Sequence, residues 1–249
     1  MTDVNVSKKL RTLLPKQMLR LIGLIAELAR QNSCDVFLVG GIVRDILLGV
    51  ENYDLDFAIE GDALQLARAL AKNTGGSCIV HKMFGTATVT MPDSIKVDFA
   101  TARRERYEKP ASLPTVEFST IKNDLSRRDF TINAMAIAIS DLNFGQLIDF
   151  FGGQDDLLNK KIRVLHDASF IDDPTRILRA VKFEQRLNFK IESSTHRLLK
   201  EAVQMHLLEK VGRWRLNKEV ALILKEKNSR KIFKRMEKLG IWPQTDLKK

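Results

Sequence analysis

Hydrophobic positions divide the chain into a first part of mixed periodicity and a second part that is almost entirely helical. Leu10, Leu13, Leu14, Met18, Leu21, Ile22, Ile25 and Leu28 recur at helical spacing, which predicts one amphipathic helix over residues 10–30 despite Pro15 near its start. The apolar run 36–39 predicts a buried strand. Gly40-Gly41 then reads as a tight turn into a short helix through Arg44, Asp45 and Leu48, ended by Gly49. A second strand is expected over 54–59, followed by a helix from Asp62, a residue suited to an N-cap, to Asn73. Beyond Gly75-Gly76, three runs rich in β-branched residues, 77–81, 86–91 and 95–100, read as strands.

Residues 103–123 contain Pro110 and Pro114 and show little periodicity, so they predict a long loop, a length usually associated with function or disorder. Residues 129–139 read as a buried helix or strand, and 149–159 as a loop entering a short helix. From Asp172 helical periodicity runs to about Leu239. The expected organisation is α+β: a mixed head over residues 1–150, then helices over 151–249, with a soft boundary near Phe150.

A chain of 249 residues with 44% hydrophobic content can bury a real core, in one or two domains or in one domain with a helical extension. Its longest strongly apolar stretch, 21–29, is interrupted by Glu27 and is far shorter than the ~20 residues of a membrane span. Cys34 and Cys78 form no disulfide framework and the N-terminus carries no secretory pattern, so a reducing cytoplasm is the expected setting. Charge changes the picture more. Residues 1–175 hold 21 basic and 23 acidic side chains, net −2, whereas residues 176–249 hold 20 basic and 8 acidic ones, net +12. The whole basic excess lies in the last third, which implies a polyanionic partner there or a solvated helical surface.

Asp54 and Asp56, two apart on an expected strand, would point to one face and converge on a small volume, the outline of a divalent cation site. Directly upstream, Leu38-Val39-Gly40-Gly41-Ile42-Val43-Arg44-Asp45 turns a strand through two glycines into a helix N-terminus, which offers N–H groups to a phosphate. Together they describe a site for a nucleoside triphosphate with Mg²⁺. No GxxxxGK[ST] and no kinase set is present, and the four histidines show no metal-binding spacing.

These residues carry a specific resemblance. Residues 38–49 with Asp54-Leu55-Asp56, then Arg127-Arg128-Asp129-Phe130-Thr131-Ile132-Asn133-Ala134, then Asp173-Pro174-Thr175-Arg176-Ile177-Leu178-Arg179-Ala180 resemble, in order, three motifs of the class II tRNA nucleotidyltransferases. That family of CCA-adding enzymes and bacterial poly(A) polymerases lies within the polymerase β superfamily. The likeness covers about residues 20–240 and implies a polymerase β-like nucleotidyltransferase head followed by an all-α neck. Its implied activity is template-independent addition of CCA, or part of it, to the tRNA 3′ end from CTP and ATP. A-only addition and poly(A) synthesis are alternatives within the class, and a non-catalytic RNA-binding module is the alternative outside it.

The resemblance implies two Mg²⁺ ions on Asp54 and Asp56. Asp98, on the strand 95–100, is either a third carboxylate near the primer hydroxyl or an ordinary surface residue. Gly40, Gly41 and Arg44 would serve the triphosphate. Asp129 and Asn133 are expected on one helical face beside Arg128, serving ribose and phosphate. Asp173 and Arg176, three apart on an expected helix, would read the amine and ring nitrogen shared by cytosine and adenine, with Arg179 extending that face. Arg213, Arg215 and Lys218 are candidates for RNA phosphates or for structural salt bridges, and Trp214 stands at a usually acidic position. The segment 103–123 resembles the flexible element of family members that add the terminal A. Members generally continue into further helices that grip tRNA, so weak tRNA affinity, or dependence on a further module, is expected. Oligomeric state is left open.

Overall fold

Pro15 splits the first expected helix. Proline lacks an N–H and disfavours helical backbone in the residue before it, so Leu14 is extended (φ −92°, ψ 138°) between α1 (Ser7–Leu13) and α2 (Lys16–Gln31). The computed structural model describes residues 4–106, 109, 111, 112 and 114–241. Tyr107, Glu108, Pro110 and Leu113 of the expected loop lie outside the described residues.

Along α2 the stripe Met18, Leu21, Ile22, Ile25 and Ala29 is buried. β1 (Asp35–Val39) follows and turns at Gly40 into α3 (Gly41–Leu48), which closes on left-handed Gly49. β2 (Leu55–Glu60) leads to α4 (Ala63–Thr74), where the Asp62 carboxylate caps the helix by accepting from the N–H groups of Leu64 and Gln65. β3 (Ser77–His81), β4 (Thr86–Thr90) and β5 (Lys96–Thr101) then match the β-branched runs.

The segment read as a loop is partly ordered. β6 (Arg103–Arg106) and β7 (Thr115–Phe118) pair as a two-stranded ribbon, and α5 (Ile121–Ser126) follows. Charges in place of alternating apolar residues hid β6, and Arg104 pairs across the ribbon with Glu117. β8 (Met135–Ala138) and β9 (Leu147–Asp149) complete the main sheet. Its order is β3-β4-β5-β2-β1-β8-β9, with β2 and β5 parallel and every other pair antiparallel. In β5, Val97 and Phe99 are buried while Lys96 and Asp98 are exposed. Phe57 and Phe99 stack 5.6 Å apart between the β2–β5 pair and its helical cover. This is an α+β fold in which one face of the sheet is packed and part of the other is left open.

The chain forms two compact units. The first contains Met1–Glu105, Val116–Arg128 and Ile132–Gln154, and so the sheet. The second contains Arg106–Thr115, Asp129–Thr131 and Asp155–Lys249. After α6 (Gly153–Leu158) and β10 (Lys161–Ile162) come α7 (Ser169–Asp172), α8 (Thr175–Leu187), β11 (Lys190–Ile191), α9 (Ser193–Gln204), α10 (Arg213–Leu224) and α11 (Ser229–Lys238). α8 packs against both α10 and α11, and the Phe130 ring meets Phe183 edge-on at 5.8 Å. The expected helical periodicity is present among the described residues, interrupted by β11, which pairs in parallel with β10, and by a 3₁₀ turn at Leu207–Lys210 between α9 and α10. Among the described residues no helix is long and apolar enough to cross a membrane.

Candidate active site

In the first unit, the parallel pairing of β2 with β5 sets Asp56 directly opposite Asp98. Neighbouring strands lie about 4.8 Å apart, so two carboxylates from distant parts of the sequence share one patch of the open sheet face. Asp98 is also paired in register with Thr88 of β4, whose hydroxyl donates to it. Asp54 stands one residue before β2, exposed, with its N–H donating to Asn52 Oδ1 at 2.9 Å.

Gly40 closes the site from the β1–α3 turn. Its φ of 82° and ψ of −144° suit glycine alone, and a Cβ there would lie 3.4 Å from Asp56 Oδ2 and 3.6 Å from Arg128 Nη1. A cleft of about 310 Å³ is lined by Val39, Asp56, Thr88, Asp98 and Arg128. The Asp56 carboxyl is pushed up to about 6, first by burial and next by the charge of Asp98. Arg128 opposes the rise and Asp54 adds to it. Carboxylates gathered against a single guanidinium leave the patch short of positive charge, which fits a divalent cation. Among the described residues no three His, Cys, Asp or Glu side chains form a complete ligand set by themselves. Mg²⁺ usually takes one or two carboxylates and completes its shell with water and phosphate oxygens, and Asp56 with Asp98 offers two side by side.

Arg128 is held from behind. Its Nη2 donates to Asp124 Oδ2 at 2.9 Å, and Arg127 donates to Asp124 Oδ1 from Nε at 3.0 Å and from Nη2 at 2.6 Å. Asp124 is 1% exposed. Burial alone would raise its pKa, but Arg128 and Arg127 outweigh that and hold it below the ordinary carboxylate range. Glu105 then takes Arg127 at 3.0 Å and Arg103 at 2.9 Å. Sequence reasoning missed Asp124, although an acid four residues before Arg128 was the available signal.

Arg44 is 3% exposed and spends its guanidinium inside the unit. Nε and Nη2 donate to the two oxygens of Asp45 at 2.8 and 3.0 Å, Nη1 donates to Asn133 Oδ1 at 2.8 Å, and Asn52 Nδ2 donates to Asp45 Oδ2 at 2.7 Å. Gly41 borders this network, since a Cβ there would lie 3.5 Å from Arg44 Nη2. The expected helical face joining Asp129 to Asn133 does not form. Residues 131–133 make only a 3₁₀ turn before β8. The Asp129 carboxylate accepts from the Phe130 N–H at 2.8 Å, and the Thr131 N–H donates to the Arg163 carbonyl at 2.9 Å, so these donors serve no α-helix.

In the second unit Asp129 accepts from Arg179 Nε at 2.9 Å and from Nη2 at 2.5 Å, while Arg179 Nη1 reaches Glu219 at 3.3 Å. Glu219 also receives Lys182 at 3.1 Å. The Asp129 carboxylate is the main reason the Arg179 guanidinium is held even more firmly protonated than usual. Asp173 lies ahead of α8, not on it. Its Oδ1 accepts from the Thr175 N–H at 3.0 Å and hydroxyl at 2.6 Å, and it pairs with Arg215 at 2.8 Å. Arg176 is buried and donates to Ser169 Oγ at 2.6 Å. Arg215 also donates to the Ala111 carbonyl at 3.1 Å, so it acts here as an internal tie. Arg213 is exposed, and exposed Lys218 lies over the Trp214 ring at 5.5 Å.

This sheet, with its carboxylates paired in register, defines a nucleotidyltransferase head of the polymerase β type. The chain belongs to the poly(A) polymerase head-domain family, matching that domain over residues 36–163. Among curated relatives it is 46% identical over 228 residues to the A-adding tRNA nucleotidyltransferase of Geobacter sulfurreducens, covering 92% of this chain and 26% of that protein. It is 43% identical over 226 residues to the A-adding tRNA nucleotidyltransferase of Halalkalibacterium halodurans, covering 90% and 53%. The chain thus spans between about a quarter and about half the length of these relatives. A CCA-adding enzyme in an apo form superposes with a TM-score of 0.92 at 48% identity, over 97% of this chain and 57% of that one. The Thermotoga maritima CCA-adding enzyme complexed with tRNA gives 0.86 at 44% identity, over 97% and 55%.

Proposed function

We propose that the chain carries out template-independent nucleotidyl transfer to the 3′ end of tRNA, ending with the terminal A from ATP. In this reaction the 3′ oxygen bonds to the α-phosphorus of the incoming nucleotide, the bond from that phosphorus to the β-phosphate bridge breaks, and pyrophosphate leaves with the hydroxyl proton lost. The observation that carries the reading is the pairing of Asp56 with Asp98 beside Gly40 and Arg128, in a chain of this family.

In the proposed roles, Asp54 and Asp56 hold Mg²⁺ and Asp98 faces the primer hydroxyl. The metal, when bound, would lower the hydroxyl pKa and neutralise charge on the leaving group. Arg128, fixed by Asp124, meets the phosphates at the β1–α3 turn. Arg44 and Asn133 act as a strut that keeps Gly40 and Gly41 in place. In the second unit, Asp129 and Arg179 serve the ribose, while Asp173 and Arg176 select C and A over U and G. Terminal A addition is favoured because the A-adding relatives are 46% and 43% identical over nine-tenths of the chain or more. Addition of all of CCA is the second reading, supported by the CCA-adding solved structures.

Labelled ATP and CTP offered with tRNA lacking CCA, tRNA ending in CC, and unstructured RNA separate the readings. The expected result is AMP incorporation on tRNA ending in CC, lost on Asp54→Ala with Asp56→Ala while tRNA binding persists. CMP incorporation on tRNA lacking CCA would favour the second reading, and tails on unstructured RNA would favour poly(A) synthesis. Absence of any incorporation would leave a non-catalytic RNA-binding module.

A further inference from the structure

The carboxylate cleft does not use the far end of the first unit's sheet, where β2 and β5 finish. There Arg68, Lys82, Gly85, Thr101, Phe118 and Ser119 line a second cleft of about 670 Å³. Phe118 is 69% exposed, and the neighbouring turn Lys82–Phe84 presents Met83 and Phe84 at 85% and 51% exposure. Isolated exposed apolar residues are ordinary, but several around one cleft mark a contact surface. The Phe118 ring rests against the backbone of Gly85, where φ is +59° and a Cβ would lie 2.9 Å from the ring edge. Glycine therefore keeps room for a ring that is supported underneath and open above.

Charge says what would cover it. Arg44, Arg103, Arg104, Arg127 and Arg128 of the same unit are each paired with a carboxylate. Arg68 and Lys82, on the cleft wall, have no ion-pair partner among the described residues. Asp62 borders the same cleft, but its carboxylate is occupied in capping α4. Two uncompensated cations beside an open aromatic face match a nucleic acid strand, whose bases stack on the ring and whose phosphates meet the cations. An acidic peptide would answer the cations but would leave the open aromatic face without a planar counterpart.

We propose that this cleft is a subsite for an unpaired stretch of RNA, one base lying on Phe118 and the adjoining phosphates at Arg68 and Lys82. Thr101 is three residues beyond Asp98 on β5, about 10 Å along the strand at ~3.3 Å per residue and on the opposite face of the sheet, so RNA held in the subsite would reach the carboxylate cleft only by passing around the end of the strands. The subsite rests on the reading that the chain acts on RNA and adds where that RNA is gripped.

The test measures binding of tRNA and of an unpaired RNA twelve-mer to the full chain, by anisotropy across a salt series, together with the ATP KM. Phe118→Ala is expected to weaken RNA binding about tenfold, with Phe118→Trp restoring it. Arg68→Ala and Lys82→Ala should each reduce the salt slope for the twelve-mer by about 0.7. The ATP KM should stay unchanged. Arg68, Lys82 and Phe118 are all exposed, and melting curves establish that the variants fold. Affinities within twofold of the parent chain and an unchanged slope overturn the subsite and assign the cleft to a partner other than RNA. A parent chain that binds neither RNA removes the subsite, and removes the proposed function with it only if it also incorporates no nucleotide, whereas a parent that binds beside indifferent variants removes the subsite alone.

Discussion

At Asp56 folding places a carboxylate where, without a cation, it is better protonated. Its pKa near 6 lies above the ordinary value of 3.8. A raised acid pKa means the folded state holds the proton more tightly than the unfolded chain. The contribution to stability is therefore full below about pH 4 and is lost as the pH rises through 6. About two units correspond to ~3 kcal/mol at most, and partial solvent exposure reduces this to on the order of 1–2 kcal/mol. Asp56→Asn is thus expected to raise the melting temperature of the metal-free protein at pH 7.5 by roughly 2–6 °C while abolishing incorporation. Mg²⁺ should raise the melting temperature of the parent chain and leave the variant unmoved. An Asn variant that melts at or below the parent would show that no such conflict exists. Asp45 was invisible as the partner of Arg44, because adjacent residues do not face each other on a helix, whereas Asp124 left an i,i+4 signal to Arg128 that went unused. Asp98 was readable as an acid on a strand, but its meeting with Asp56 depends on a parallel register that no local pattern encodes.

Elements with strong periodicity were legible: β1, α3 and its Gly49 stop, the Asp62 cap of α4, and strands β3 to β5 all fall where alternation, glycine and capping chemistry put them. Two kinds of element escaped. Pro15 broke a stripe that hydrophobic spacing alone would continue, because apolar positions on α1 and α2 keep their phase across the break. The β6–β7 ribbon escaped because its polar strands are matched by charge and not by burial, and the turn at 131–133 because the N–H groups of Phe130 and Thr131 go to the Asp129 carboxylate and the Arg163 carbonyl. The β1–α3 turn offers an element-scale test. At φ 82° and ψ −144°, Gly40→Ala forces a side chain into a region open mainly to glycine, at a cost of about 1–3 kcal/mol. The new methyl would also press on Asp56 and Arg128. The ATP KM should rise at least several-fold with secondary structure retained. Gly49→Ala, left-handed but with open space around it, should cost similar stability and leave KM alone. Equal KM values for the two variants would mean that the turn does not shape the nucleotide site.

Charge is distributed over the whole molecule more unevenly than the sequence count suggests. The second unit places several of its acids inside: Glu184 pairs with Arg235, and Glu219 with Arg179 and Lys182. Over residues 176–241 this leaves thirteen exposed Lys and Arg against three exposed Glu. On α11, Arg230, Lys231, Lys234 and Lys238 are all exposed, and the intervals between Lys231, Lys234 and Lys238 put those three on one side. Each RNA phosphate met by such a cation releases counterions, so a contact set of about six gives a slope of log affinity against log salt of roughly −4 to −5. Lys231→Glu with Lys234→Glu should weaken tRNA binding about tenfold or more near 0.1 M salt and flatten the slope by about two. Because both side chains are exposed, stability should change by less than about 0.5 kcal/mol, and the ATP KM should not move. Arg215, tied to Asp173 and the Ala111 carbonyl, sits outside this set. Its replacement should therefore act on stability and nucleotide choice with little effect on the salt slope. A slope near zero for the parent chain would mean that the basic third is a solvated helical surface, and that RNA is held by shape and hydrogen bonds elsewhere.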